Sequence, residues 1–143
     1  MVYLSAWQPR LLSLMRIIVG FLFIEHGLQK LFGFPAPGPG GTVALASLMG
    51  VAGILEFAGG LMILLGFATR PAAFVLSGLM AVAYFMAHAP QGFWPILNKG
   101  ETAVLYCFVF LYLSAAGGGP WSLDAWWRNR TDEGVLSDGA RAA

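Results

Sequence analysis

The segment Leu11–Phe34 (LLSLMRIIVGFLFIEHGLQKLFGF) decides how this chain folds. A water-soluble helix keeps a polar face, whereas this segment is apolar on every side until Glu25, apart from Arg16. At a rise of 1.5 Å per residue, residues 11–32 reach about 33 Å, enough for a hydrocarbon core of about 30 Å. The segment therefore predicts a membrane-spanning helix. Its length and nearly uncharged start argue against a signal peptide.

The composition of the whole chain supports the same environment. Of its 143 residues, 58% are hydrophobic and only 10% are charged, and the mean hydropathy is +0.72. Soluble domains carry about 25% charged residues, and one of this size has too little interior to hide so much apolar surface. The formal net charge of +1, with scattered basic residues, argues against nucleic acid as a partner.

Four apolar stretches predict four transmembrane helices, at about residues 11–32, 43–67, 71–89 and 101–116. Pro71 is expected to be the first residue of the third helix. Residues 121–130 predict a short interfacial helix with Ser122 as its N-cap. The predicted fold is an all-α membrane protein, a four-transmembrane-helix bundle that forms one domain over residues 1–130. The polar tail, residues 131–143, is expected to be disordered.

Basic residues predict the orientation of the bundle. Up-and-down threading places two lysines, Lys30 and Lys99, on one side of the membrane. The arginines fall on the other side: Arg10, Arg16, Arg70, Arg128 and Arg130. By the positive-inside rule both termini are cytoplasmic, in a multi-pass protein of the bacterial inner (plasma) membrane. Arg16 starts about 8 Å inside the boundary and is expected to extend its side chain to water.

Small residues predict where the helices approach each other closely. We expect such contacts along three sets of residues: Ala73, Ser77 and Ala81 on the third helix, Ala46 and Gly50 on the second, and the glycines Gly53, Gly59 and Gly60.

Polar side chains converge on one leaflet once the helices alternate in direction. They are Glu25, His26, Gln29, Lys30, Glu56, Tyr84, His88, Asn98, Lys99 and Glu101. Glu56 stands out because apolar helix extends about 18 Å to either side of it. It is expected to be neutral, paired with a cation such as Lys30, or hydrogen-bonded to a histidine.

Two interpretations of this cluster stay open. In the functional one, Glu56, His26 and Glu25 exchange protons in catalysis. Four further residues, Gln29, Lys30, Tyr84 and His88, would then bind a cofactor, either a quinone or another polar head group. In the structural one, the polar groups form an interhelical hydrogen-bond network that fixes helix register.

Other chemistries have few residues to carry them. Glu25 and His26 are adjacent and diverge by about 100° on a helix, so no metal site is predicted. Phosphate-binding loops and Ser-His-Asp patterns are absent from the sequence. The single cysteine, Cys107, excludes an intramolecular dithiol–disulfide couple.

At these residues the chain resembles the DoxX family of small bacterial membrane proteins. The blocks that carry the resemblance are Leu22–Phe34 (LFIEHGLQKLFGF), Gly50–Phe67 (GVAGILEFAGGLMILLGF) with Thr69-Arg70-Pro71, Ala81–Pro95 (AVAYFMAHAPQGFWP), Asn98–Leu113 (NKGETAVLYCFVFLYL) and Gly119–Asp124 (GPWSLD). The resemblance implies a four-helix inner-membrane protein. It also implies a link to the membrane subunit of thiosulfate:quinone oxidoreductase and to assemblies that handle thiols and oxidative stress.

The leading functional hypothesis is a membrane subunit of a quinone-linked oxidoreductase or of a thiol and oxidative-stress redox assembly. Its expected partners are the lipid bilayer, other membrane, periplasmic or cytoplasmic redox proteins, and further copies of the chain. The alternative is a non-catalytic accessory subunit that packs against a larger membrane complex. A carrier for a small polar solute ranks last, because four short helices leave little room for a pathway.

Overall fold

The computed structural model describes residues 2–38 and 40–131, and all regular secondary structure in that part of the chain is helical. The predicted disorder beyond residue 131 lies outside the described residues. The helices are α1 (Val2–Ser5), α2 (Gln8–Phe32), α3 (Leu48–Leu65), α4 (Thr69–Ala83), α5 (Pro95–Asn98), α6 (Glu101–Ala116) and α7 (residues 123–131). A π-helical turn, Tyr84–His88, and a 3₁₀ turn, Ala89–Gln91, continue α4 without a break.

Three of these helices are long and apolar enough to cross a membrane: α2, α3, and α4 with its extension to Gln91. The fourth apolar helix, α6, matches its predicted bounds, but its 16 residues reach only about 24 Å. The protein is therefore an all-α membrane protein with three membrane-length helices in its described part. The fourth span stays a prediction.

Three helices begin elsewhere than predicted, the first of them α2, which begins at Gln8 and not at residue 11. The start of the second helix at Val43 is wrong, because α3 begins at Leu48, where Ser47 accepts a 3.0 Å hydrogen bond from the amide of Gly50. Val43 instead donates to the carbonyl of Lys30 and ties the loop back to α2. Pro71 is not the first residue of the third helix, since α4 begins two residues earlier at Thr69.

Glycines bring α2 and α3 into close contact along their length. A Cβ atom on Gly27 would lie 2.6 Å from the amide nitrogen of Phe57, and one on Gly20 would lie 2.6 Å from that of Leu64. On the α3 side, a Cβ on Gly60 would approach α2 to within 3.0 Å of its backbone. The two backbones touch where side chains would otherwise separate them.

A second helix pair, α4 with α6, packs through the predicted small residues of α4. Ala73 is fully buried, and the hydroxyl of Ser77 donates a 2.8 Å hydrogen bond to the carbonyl of Cys107. The two pairs meet at aromatic side chains, where Phe23 of α2 lies 4.8 Å from Phe110 of α6 between ring centroids. The predicted stripe of Ala46 and Gly50 does not exist, because Ala46 precedes α3.

Arg16 is fully buried, so the expectation that it extends to water is wrong. Its guanidinium donates to the carbonyls of Ile63 (2.7 Å) and Leu64 in the last turn of α3, where carbonyls lack amide donors further along the helix. It also donates to the carbonyls of Gly118 (2.9 Å) and Trp121 (2.5 Å). Since these acceptors surround the guanidinium, it has no need of water. We call this end of the bundle the Arg16 end, and the opposite end the His26 end.

Candidate functional site

An ion pair inside the helix bundle forms the centre of the candidate site. The ammonium of Lys30 on α2 donates to Oε1 of Glu56 on α3, as one of the sequence expectations proposed. The side chain of Glu56 is 4% exposed and that of Lys30 is 25% exposed. Glu56 lies eight residues from the start of α3 and nine from its end, which is about 12 Å of helix to either side, shorter than expected.

The second oxygen of Glu56 is left without a partner. Oε2 is buried and makes no hydrogen bond within residues 2–38 and 40–131. An unsatisfied buried polar atom costs about 1–3 kcal/mol, more when it is charged. This atom therefore marks a place where a hydrogen-bond donor would bind favourably.

A cavity of about 260 Å³ adjoins the ion pair at the His26 end. It lies between the two helix pairs and draws its walls from α2, α3, α4 with its extension, and α6. Its polar and charged lining residues include His26, Lys30, Glu56, His88, Lys99 and Tyr106. Because His26 and Lys99 are also exposed on the outside of the bundle, the cavity opens at the helix surface.

His26 is held at the cavity by aromatic rings. Its imidazole lies 5.8 Å from the ring of Tyr106, edge to face at 89°, and 6.2 Å from Phe23. Neither ring nitrogen has a protein partner among the hydrogen bonds given for the described residues. The imidazole is therefore oriented by ring contacts and keeps its nitrogens available.

The π-helical turn places His88 on the cavity wall. Such turns occur often at functional sites, because the inserted residue shifts the side chains that follow it. Nδ1 of His88 lies 2.9 Å from the carbonyl oxygen of Asn98, and the ring stacks against Tyr84. Asn98 is itself buried and bonds to Gly92 and Gly100, so the loop before α6 fixes the imidazole.

Three of the sequence-predicted site residues do not line this cavity. Glu25 is exposed and is not part of the cavity lining, because its helix position diverges by about 100° from that of His26. Gln29 donates to the carbonyl of Ala36 in the following loop, at 3.2 Å. Tyr84 packs behind His88 and against Gly100. The structure thus brings four of the seven predicted residues together: His26, Lys30, Glu56 and His88.

Sequence reasoning placed Lys99 in the converging polar cluster but not among the site residues, and it made no prediction for Tyr106; both line the cavity. Lys99 caps α5 with a backbone φ of 58°, a conformation that residues other than glycine seldom adopt. Strained residues of this kind cluster at functional sites. Tyr106 had a weaker signal, a polar aromatic one turn after Thr102 on the same face of α6.

A second polar cluster lies at the Arg16 end, and its contacts are structural. The carboxylate of Asp124 accepts hydrogen bonds from the amides of Ala68 (2.7 Å) and Thr69 (2.8 Å), which start α4. Ser122 caps α7 by accepting from the amide of Ala125 at 3.1 Å, as predicted. Together with Arg16, these contacts attach the C-terminal segment to α2, α3 and α4.

The fold and this cavity define a class: a small all-α membrane protein with an ion pair between its first two long helices. The chain belongs to the DoxX family, whose sequence profile, described as DoxX, matches residues 11–89. The resemblance seen in the sequence is thereby confirmed.

Relatives extend the match over most of the chain. An uncharacterized protein of Haemophilus influenzae is 43% identical over 125 residues, which cover 85% of this chain and 93% of the relative. The inner membrane protein YqjF of Escherichia coli is 32% identical over 124 residues, 76% of this chain and 85% of its own. An uncharacterized membrane protein of Mycobacterium tuberculosis is 29% identical over 136 residues, 85% and 83% of the two chains. No solved structure matches the chain.

Proposed function

We propose that this protein is an inner-membrane subunit that binds the head group of a quinone in the Glu56 cavity and exchanges protons with it. The observation that carries the proposal is the unpartnered Oε2 of Glu56, buried in an apolar bundle beside a cavity. Ionisable groups inside a membrane protein are costly and usually have a function.

The size of the cavity suits a head group rather than a whole ligand. Pockets that enclose a whole small molecule measure about 300–1,000 Å³. The cavity, at about 260 Å³, lies just below that range. A quinone ring fits this space while its isoprenoid tail stays among the lipids, which the opening beside His26 allows. The rings of Phe23 and Tyr106 provide flat contact surface for it.

The polar lining supplies the groups that proton exchange needs. Lys30 holds protons on Nζ, Glu56 offers Oε2 as an acceptor, and the imidazoles of His26 and His88 carry nitrogens that can donate or accept a proton. Conversion of a quinone to a quinol takes two electrons and two protons. A partner protein's dithiol releases both as it becomes a disulfide, and the single Cys107 of this chain requires that such a dithiol be external.

The proposal includes a topology. Both termini are cytoplasmic, α6 is the fourth span, and α7 lies at the interface, where Trp126 and Trp127 are exposed and Arg130 stacks on Trp126 at 4.5 Å. The cavity then faces the periplasmic leaflet. The name of the Escherichia coli relative supports the inner membrane as the location. Redox proteins of the membrane, the periplasm or the cytoplasm, and further copies of the chain, are the proposed partners.

A paired substitution tests the site. Replacing both Lys30→Met and Glu56→Leu removes the ion pair without leaving a lone buried charge, a change that proteins often tolerate. We expect the purified double variant in lipid nanodiscs to unfold like the parent but to bind decylubiquinone at least about tenfold more weakly, by tryptophan fluorescence quenching. His26→Ala should weaken binding as well. The exposed Glu101→Gln, outside the cavity, is the control.

Unchanged quinone affinity in the double variant and in His26→Ala would show that the site assignment is wrong. If the parent protein binds no quinone, and mild-detergent purification yields stoichiometric partners, the accessory-subunit alternative replaces the proposal.

A further inference from the structure

The hydrogen bond of His88 defines which of its ring nitrogens can accept. Nδ1 lies 2.9 Å from the carbonyl oxygen of Asn98, and a carbonyl only accepts, so Nδ1 carries the proton in that bond. In the neutral imidazole, Nε2 then has no proton and is an acceptor. Because His88 lines the cavity, the cavity wall carries one acceptor there.

Glu56 provides a second acceptor on another wall of the same cavity. Its Oε1 forms an ion pair with the ammonium of Lys30, and a carboxylate in an ion pair has no proton to donate. Its Oε2 has no partner in the described part of the chain. Glu56 on α3 and His88 on the extension of α4 thus line the same cavity, each with one acceptor atom that no protein donor satisfies within the described residues.

We propose that the cavity selects the reduced, dihydroxy form of its ring ligand, the quinol, over the oxidised quinone; this inference rests on the proposed function. A quinone carries only carbonyl oxygens, which would face Glu56 and His88 as acceptor against acceptor. A quinol carries two hydroxyl groups that donate to both. Sites built to bind a substrate hydroxyl discriminate strongly against the analogue that lacks it.

The cationic and remaining titratable groups of the cavity do not cancel this preference. Lys30, Lys99, His26 and Tyr106 also line the cavity and can donate. A hydroxyl oxygen accepts from such donors as a carbonyl does, so both forms of the ring use them. Only the quinol satisfies the two acceptors as well.

Selective binding of the reduced form changes the reduction potential of the bound couple. Whichever form binds more tightly is favoured at equilibrium, so the bound quinone becomes easier to reduce. For a two-electron couple, each tenfold preference raises the potential by about 30 mV. A site that supplied only donors would leave the hydroxyl protons of the quinol without acceptors, so it would favour the quinone and lower the reduction potential of the bound couple.

The test compares ligands on the full-length protein in nanodiscs under anaerobic conditions. We expect decylubiquinol to bind at least about tenfold more tightly than decylubiquinone by titration calorimetry. Methylating one or both hydroxyls of the quinol should weaken binding stepwise, because each methyl group removes a donor. This ligand series needs no variant and so does not depend on how a substitution folds.

A variant then assigns the preference to Glu56. In Glu56→Gln the side-chain amide can donate to a carbonyl, so the quinol-to-quinone ratio should fall to about one or below, whereas Glu101→Gln keeps the parent ratio. Equal or tighter binding of the quinone by the parent, or no effect of methylation, overturns the inference and leaves the quinone site standing. Absence of binding by both forms overturns the proposed function itself.

Discussion

Two cations of α2 are buried in different ways. Arg16 gives its donors to four backbone carbonyls, whereas Lys30 gives one to a carboxylate. Backbone carbonyls accept hydrogen bonds from the planar guanidinium but do not neutralise its charge, so the role of Arg16 is structural. Lys30 instead pairs with the carboxylate of Glu56, and this ion pair adjoins the cavity. The different partners of the two cations therefore distinguish the structural role of Arg16 from the candidate functional role of Lys30.

Substitution of Arg16 should destabilise the protein strongly. In Arg16→Lys a single ammonium cannot reach the carbonyls of both Ile63 and Trp121, so we expect the free energy of unfolding to fall by roughly 3 kcal/mol. Urea unfolding in mixed micelles measures this loss. The exposed Arg10→Lys is the matched control and should stay within about 0.5 kcal/mol of the parent. Equal effects of both substitutions would contradict the assigned role.

Substitutions of Lys99 should separate the effect of backbone strain on stability from the effect of the side chain. Because its φ is 58°, Lys99→Gly relieves backbone strain and should raise the free energy of unfolding by up to about 1 kcal/mol. Lys99→Ala keeps the strain and should not stabilise. Both remove the ammonium from the cavity. If alanine stabilises as much as glycine does, side-chain effects and not backbone strain explain the result.

At the scale of elements, the composition of a helix predicts its existence better than its ends. The apolar runs identify α2, α3, α4 and α6, since hydrophobicity over a span is a sum of many residues. Their ends depend on single contacts that the sequence shows only locally. Ser47 is recognisable as a cap, but Asp124 caps α4 from 56 residues away, which no local pattern reveals.

Two glycines give a matched test of the helix contacts. Gly27→Ala places a methyl group 2.6 Å from the amide nitrogen of Phe57 on α3 and should destabilise by about 1–3 kcal/mol. Gly78→Ala meets no atom within 4 Å and should be neutral or stabilising by up to about 1 kcal/mol, because alanine favours helix. Unfolding of both variants in the same detergent decides the comparison. Similar losses would mean that helix propensity, not close packing, dominates.

The contribution of the Asp124 cap to the free energy of unfolding can also be measured. Asp124→Ala leaves the amides of Ala68 and Thr69 without acceptors, and we expect a loss of about 1–2 kcal/mol. Asp124→Asn retains an acceptor oxygen and should lose less. Hydrogen exchange at the first turn of α4 should rise in the alanine variant. Unchanged exchange there would show that the cap is dispensable.

At the scale of the whole molecule, alternation of helix direction was sufficient to predict part of the site. It placed His26, Lys30, Glu56 and His88 at one end, and the structure brings these four to one cavity. It could not exclude Glu25, Gln29 or Tyr84, because helix rotation depends on contacts with neighbours. The burial of Arg16 was equally out of reach, since its partners come from two distant segments.

Labelling tests the proposed topology. In a Cys107→Ser background, Lys99→Cys should react with a membrane-impermeant maleimide in intact spheroplasts, because the proposed topology places it on the periplasmic side. Arg128→Cys should react only after lysis, because the same topology places it on the cytoplasmic side. The reverse pattern would invert the orientation, and labelling of both in intact cells would remove α6 as a span.

The hydrogen bonds from Arg16 to the carbonyls of Gly118 and Trp121 have a consequence for biosynthesis. The arginine leaves the ribosome about one hundred residues before its last two acceptors do. Until then the guanidinium can reach only its two acceptors on α3, and an incompletely paired charge is costly inside a membrane. Full pairing of Arg16 is therefore coupled to the translation of residues 118–121, and a chain stopped before residue 118 would hold a cation without two of its four carbonyl acceptors.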